Sequence, residues 1–479
     1  MNVFRCVLVL IVGLHCSLVV AQQLMSKPAA RESDPGSTYI THVTVIDTQS
    51  GRESRDQTVV ISGERISEVK DSKCVNPPAG AKVVDAAGKY LIPGLWDMHV
   101  HGTRFDSTLP LYIANGVTGV REMFGPSDAN KFRAELTAKH LIAPHIYLGS
   151  PIFDGKPPVW PDSIAVATAD EARRAVDEQK QKGADFIKVY SLLSREAYFA
   201  IVDEARRQNI PVGGHVPSSI TAFEAAAAKQ RTFEHLVGIE LACSSRESEL
   251  RPKILAASTV GIEFDAVILN ALQSYSDSRC NALFGELTKN GTWPVPTLHA
   301  WRSIGLLNDP QFISDNRIRY FSGEFRDWLS GKLDARMKEW SASEFGVRRD
   351  VFSAEKKLTG KLFRAGLPML AGTDVGNAFC FPGFSLHDEL GLLVDSGLPP
   401  LAALQAATLN PAMFMNAADR YGSVAKGKIA DLVLLDADPL KDIHNTTTIQ
   451  EVFLAGKEFT RTALDEILKT SQAEGSASN

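Results

Sequence analysis

The chain has 479 residues, 44% of them hydrophobic, enough to bury a large core in one big domain with a smaller companion. Its 51 basic and 56 acidic residues leave a net charge of −5, which gives no electrostatic basis for binding nucleic acid or a membrane surface. The chain opens with Arg5, an apolar run from Cys6 to Val20 broken by His15 and Ser17, then Ala21 and polar Gln22 and Gln23. That order is the layout of a secretory signal peptide over residues 1–21, and it predicts a secreted or periplasmic protein with no membrane attachment after cleavage. The apolar run falls short of the ~20 residues of a membrane span, and retention as an anchor is the alternative. Cys6 and Cys16 leave with the signal. Cys74, Cys243, Cys280 and Cys380 remain, either as two bridges in any of three pairings or as buried free thiols. None has the C-x-x-C spacing of a metal ligand. Asn290-Gly-Thr and Asn445-Thr-Thr are glycosylation sequons that matter only in a host that glycosylates.

Residues 22–37 read as a disordered leader. Residues 38–89 then carry β-type runs, with Ser62-Gly63-Glu64 as a hairpin turn between two of them. β-type runs return over 419–465. Two strand-rich ends around one long middle predict a small β-sandwich built from both, and residues 466–479 read as a flexible tail. The middle, 90–418, alternates apolar strands with helical sequence. Eight strands are expected: Tyr90–His101, Val117–Met123, His145–Pro151, Phe186–Tyr190, Pro211–His215, Thr232–Leu236, Pro294–Leu298 and Pro368–Thr373. Amphipathic helices are expected at Asp170–Lys182 and Ser194–Gln208. Eight such strands predict a (β/α)8 barrel.

A barrel of this kind carries its chemistry at the C-terminal ends of its strands. His99 and His101, at spacing two in Leu91 to Gly102, share one face of the first strand and form half of a metal site. Lys188 lies near the end of the fourth strand, His215 ends the fifth, His235 lies near the end of the sixth, and Asp374 follows the eighth. Each alone is ordinary; six at strand ends of one barrel are not. Lys188 beside four histidines is a poor structural choice, because a buried ammonium is costly. Burial favours its neutral, nucleophilic amine.

The stretches PGLWDMHVHG, GVTGVREM, ADFIKVYS, PVGGHVP, RTFEHL, LAGTD, ATLNPA and GKIADLVLLDADPL run in order from about residue 40 to 460. Together they resemble the metal-dependent amidohydrolase superfamily, in particular its prolidase-like and imidazolonepropionase-like members. The resemblance implies two divalent ions, with zinc the best match to four imidazoles and oxygen donors. His99, His101 and Asp374 would bind one ion and His215 and His235 the other, bridged by Lys188 as a carbamate. A hydroxide shared by the ions would attack an amide carbonyl, with Asp374 accepting the proton and returning it to the leaving nitrogen. The expected substrate is a small amide: a dipeptide (Xaa-Pro or similar) or an N-acyl amino acid. Alternatives are a cyclic amide or lactone hydrolase, whose imidazolonepropionase-like relatives use one metal and lack the fourth-strand lysine, and a non-catalytic binding protein on the same barrel. A homo-oligomer stays open.

Tyr190, on the Lys188 face of its strand, is expected to donate to the developing oxyanion. His299 and Arg121 are expected to contact substrate, Arg121 through a carboxylate. His387 matches a family position, and Glu122 stands where many relatives carry aspartate; neither is given a role. Three long segments are expected as a substrate lid: Ser150–Ala167 with Trp160, Val237–Thr292, and Trp301–Ala365. The last holds Arg302, Arg317, Tyr320, Phe325, Trp328 and Trp340; it reads as a helical hairpin with a solvated charged face, with binding of an acidic or aromatic group as the alternative.

Overall fold

The computed structural model describes residues 36–257, 261–327 and 340–477. The expected signal and most of the leader lie outside them, as does Trp328. Among the described residues no helix is long and apolar enough to cross a membrane.

The fold is mixed α/β. One eight-stranded sheet is built from both ends of the chain: β1 (Thr38–Ile46), β2 (Glu53–Ser62), β3 (Arg65–Asp71), β4 (Lys82–Asp85), β5 (Tyr90–Pro93), β15 (Leu432–Leu435), β16 (Ile449–Leu454) and β17 (Lys457–Thr460). Its order is β17-β16-β15-β5-β1-β2-β3, with β4 on β1. Gly63 has φ 57° in the two-residue turn that pairs Ser62 with Arg65, the left-handed geometry a tight hairpin needs. Ile40, Val43, Val59, Leu91, Leu432 and Phe453 form this sheet's own core. Arg65 bridges Ile429, so the sheet curls until β3 meets the segment that leads into β15.

The middle of the chain forms two sheets of parallel strands. β6 (Leu95–Val100), β7 (Val117–Glu122) and β8 (His145–Leu148) make one. β10 (Ile164–Ala165), β9 (Phe153–Asp154), β11 (Ile187–Val189), β12 (Val212–Gly214), β13 (Thr232–Glu234) and β14 (Trp293–Val295) make the other, in that order. A parallel bridge between Gly149 and Phe186 joins them on one side. On the other side the Leu370 N–H donates to Pro294 O, the Met98 N–H to Ala371 O and the Asp374 N–H to His99 O. Residues 370–374 thus run between β14 and β6.

Three expected strands differ in detail. Tyr90–His101 is two strands in two sheets. They part at Gly94, where a Cβ would stand 2.0 Å from Thr118 Oγ1. Pro294–Leu298 stops at Val295, and a helix begins at Leu298. Pro368–Thr373 is not a regular strand; its Thr373 N–H is shared between His99 O (3.3 Å) and the Asp97 carboxylate (3.0 Å), which also accepts the Thr373 hydroxyl (2.6 Å). The expected helices appear at Ala169–Gln181 and Arg195–Arg207, capped by Thr168 and Ser194. Of residues 466–479, expected to be a flexible tail, 466–477 continue the helix Arg461–Ala477, which buries Leu464 and packs on the helix Leu109–Ala114; the last two lie outside the described residues. Of the four cysteines outside the expected signal, Cys243 and Cys280 are bridged, Cys74 is exposed and free, and Cys380 is buried and free.

Candidate active site

Strand and loop ends of the parallel sheets open into one cavity of about 840 Å³. Its floor carries all six expected ligands: His99, His101, Lys188, His215, His235 and Asp374. The histidine rings stand in a chain. Centroids are 5.2 Å apart for His99 and His101, 4.6 Å for His99 and His235, and 4.9 Å for His235 and His215. Donor atoms of His99, His101 and Asp374 all lie within 4.8 Å of one another. Asp374 Oδ1 is 3.1 Å from His101 Nε2 and 3.4 Å from His99 Nε2. The backbone turns left-handed at His235 (φ 58°) and Asp374 (φ 58°), which are strained positions for non-glycine residues and typical of functional sites.

Each histidine is held from behind. His99 Nδ1 donates to Glu234 Oε2 at 2.7 Å, so its Nε2 carries the lone pair. The Thr297 hydroxyl spends its proton on Pro296 O, and therefore accepts from His235 Nδ1 at 2.6 Å. His215 Nδ1 pairs with Ser191 Oγ at 3.0 Å. His101 Nδ1 faces Glu122 Oε1 at 3.5 Å, and Glu122 is fixed by the Thr103 N–H, the Thr103 hydroxyl and the Phe124 N–H.

Burial pushes His99 and His215 well below the ordinary histidine range, aided by the charge of Lys188, and His235 also falls. Burial acts the same way on His101, but bonds to Asp374 and Glu122 outweigh it and its pKa rises. Burial would raise Asp374, yet His235, His99 and His101 hold it well below the carboxylate range. Burial brings Lys188 down to about 8 against the pull of Glu234 and Asp374. Among the described residues, the buried His99 Nε2 and Lys188 Nζ have no hydrogen-bond partner. Buried nitrogens without partners cost free energy in a finished fold, and here they converge. Imidazole and carboxylate donors so arranged fit a divalent ion.

Tyr190 lines the cavity as expected, with its ring 4.0 Å from that of His215 and its oxygen accepting from Trp160 Nε1 at 2.9 Å. Two expected substrate contacts are corrected. Arg121 lies outside the cavity wall, buried, with Nη2 2.9 Å from both oxygens of Glu234 and Nε on Met98 O. It neutralises the carboxylate that orients His99. His299 is buried in the first turn of the helix Leu298–Leu306, bonded to Phe379 O, Ser385 Oγ and Arg302, and does not reach the cavity. His387 is likewise buried, on Thr446 and Asn115 O.

Glu234, Glu122 and Asp97 were not foreseen as parts of the site. Asp97 stands two residues before His99 and fixes Thr373 beside Asp374; burial lifts its pKa to about 7. The signal for Asp97 and Glu234 was present, since each is a carboxylate one or two residues from a histidine inside an apolar motif. For Glu122 the sequence offers no comparable sign.

All three expected lid segments line the cavity: Trp160 from the first, Phe264 and Asp265 from the second, Trp301, Ile304, Trp340 and Arg348 from the third. Arg348, which lies in the segment read as a hairpin with a solvated charged face, is buried, with Nε 2.9 Å from Asp265 Oδ2.

Residues 90–459 match the Amidohydrolase family. The ochratoxinase of Aspergillus niger is 22% identical over 437 residues, 77% of this chain and 75% of that enzyme. An adenine deaminase of Ligilactobacillus salivarius (strain UCC118) is 31% identical over 93 residues, so this chain matches only 15% of its length. Among solved structures, a bottromycin amidohydrolase shares the fold at TM-score 0.72 and 23% identity, covering 93% of this chain and 91% of that one. A Xaa-Pro dipeptidase with bound methionine follows at TM-score 0.64 and 19% identity, covering 89% and 100%. The family match spans the cavity floor and every strand that supports it: this chain belongs to the amidohydrolase family and is a hydrolase acting on carbon–nitrogen bonds.

Proposed function

We propose that the protein is a dinuclear metal-dependent hydrolase of a dipeptide (Xaa-Pro or similar) or an N-acyl amino acid. One observation carries this reading: four histidines, Lys188 and Asp374 converge on one cavity floor, where buried nitrogens lack partners. In this reading the parallel strands and residues 370–374 close into a (β/α)8 barrel, and the curled eight-stranded sheet is its β-sandwich companion. His99, His101 and Asp374 would hold one ion and His215 and His235 the other. Lys188 would bridge them as a carbamate, formed when its neutral amine adds to carbon dioxide with loss of one proton. Zinc suits this donor set. When bound, the ions supply Lewis-acid activation of water and of the amide carbonyl.

The chain's own residues do the rest. Asp374 moves the proton from water to the leaving nitrogen. Tyr190, whose oxygen accepts from the indole of Trp160, would donate its hydroxyl proton to the substrate oxygen. Glu234 and Glu122 keep His99 and His101 in register. The basic, apolar and small-residue order of residues 1–21 and the Cys243–Cys280 bridge support export to an oxidising compartment. A Xaa-Pro dipeptidase among the structures with this fold supports the substrate class.

The test uses metal-free protein restored with zinc, with and without bicarbonate, against Xaa-Pro, Xaa-Arg and N-acyl amino-acid libraries. Turnover should return with both additions, and Lys188→Ala should lose about 100-fold in kcat. Full activity in Lys188→Ala would contradict the bridging role. A one-metal cyclic amide hydrolase is the second reading, favoured by the compact His99–His101–Asp374 group.

A further inference from the structure

We infer that the substrate carries a bulky, uncharged aromatic group, seated on a cavity wall formed by Phe264, Trp301 and Trp340. The inference rests on the amide-hydrolase reading of the floor and narrows its substrate class. It starts from size. A cavity of about 840 Å³ sits high in the ~300–1,000 Å³ range of sites that enclose drug-sized ligands. A dipeptide of two small residues would leave much of it to water.

The wall is aromatic and firmly built. Phe264 and Trp301 belong to one apolar cluster with Leu241, Leu250 and Val351, so their faces are fixed by packing from behind. The Trp340 ring lies against the Arg348 guanidinium, whose carbon is 3.3 Å from the ring centroid. Flat aromatic faces held in place favour another aromatic ring, through area and offset stacking.

Charge decides against the obvious rival, a carboxylate captured by Arg348. That arginine is ion-paired with Asp265, and their side chains are only 1% and 13% exposed. A carboxylate arriving there would lose its water and meet a positive charge already matched by a negative one. An uncharged ring makes no such sacrifice. The chemistry of the floor and the selectivity of this wall are therefore carried by different residues.

The experiment compares N-acetyl-alanine, N-(2-naphthoyl)-alanine, N-acetyl-naphthylalanine and N-succinyl-alanine on metal-replete protein, together with equilibrium binding of 2-naphthamide to metal-free protein. At least one naphthyl amide should exceed N-acetyl-alanine by about 30-fold or more in kcat/KM, mainly through KM, while the succinyl amide gains nothing. Trp301→Ala should shrink that ratio to about threefold or less and weaken naphthamide binding by a similar factor, and Trp301→Phe should restore most of both. Equal kcat/KM across the panel would overturn the aromatic wall and leave the hydrolase reading intact. Naphthamide binding that depends on Trp301, with no turnover of any amide, would overturn the hydrolase reading instead. Loss of both would overturn both.

Discussion

The floor of the cavity and its distal wall solve opposite problems. The floor gathers ionisable groups and pays for burying them with a further layer of polar contacts: Glu234 behind His99, Arg121 behind Glu234, Thr297 behind His235, Glu122 behind His101. The wall gathers apolar rings and holds them by packing, with one matched pair, Arg348 and Asp265, at its edge. Side chains at strand ends gain their precision from the sheet; the wall, carried on the segments between strands, can vary without disturbing them. In the proposed reading chemistry and selectivity are separable, and perturbations confined to one region should leave the other readable.

The largest expected effect lies behind the floor. Glu234→Gln keeps the volume but leaves the Arg121 guanidinium buried without its carboxylate, which should cost about 3–5 kcal/mol of stability in urea titrations. It also weakens the hold on His99, and metal affinity in competition with a chelator should fall about 10–100-fold. Unchanged affinity would remove Glu234 from the account of the site.

A smaller effect is expected on the lid side. The Cys243–Cys280 bridge closes a sequence separation of 37 residues within the second lid segment. Cys280→Ser should lower stability by about 2–4 kcal/mol through the greater freedom of the unfolded chain. The floor should retain its metal affinity. A large loss there would mean that the two regions are coupled more tightly than their separate contacts indicate.

The most gradual effect is a pH dependence, also on the lid side. Glu240 and Glu355 are both wholly buried, on the helices Ile239–Cys243 and Ala342–Arg364. Burial raises Glu240 to about 8, and burial together with Glu240 raises Glu355 well above its ordinary value. The folded state therefore holds protons that the unfolded chain releases near pH 4.5. Stability from these groups is full below that pH and is lost as pH rises through the folded values, by up to about 1.4 kcal/mol per pH unit and proton. Urea midpoints should fall between pH 5 and 8, and Glu355→Gln should flatten the slope. A midpoint that rises with pH across this range, with the same slope in Glu355→Gln, would show that this pair does not govern it.

The two regions also differed in how far the sequence disclosed them. The expected ligands of the floor fall at strand ends inside apolar motifs, where period and punctuation mark them, and all six line the cavity. Arg121 misled because one dimension cannot show that its partner, Glu234, comes 113 residues later and turns the arginine away from substrate. His299 misled because its expected strand ends early and the residue enters a helix. The wall was legible only as three long segments. Nothing local in the helix Ala342–Arg364 says that Arg348 turns inward, since that follows from Asp265 on a different segment. The curled sheet was legible in outline, from β-type runs at both ends of the chain. The break at Gly94, where one expected strand serves two sheets, was not.

The central claim is that the floor is built for two ions. Metal content per chain, measured on freshly purified active protein after removal of loosely bound ions, tests it most directly. The account predicts a value near two, falling towards one or below in Lys188→Ala. A value near one in the active wild-type protein, unaffected by Lys188→Ala, would contradict it.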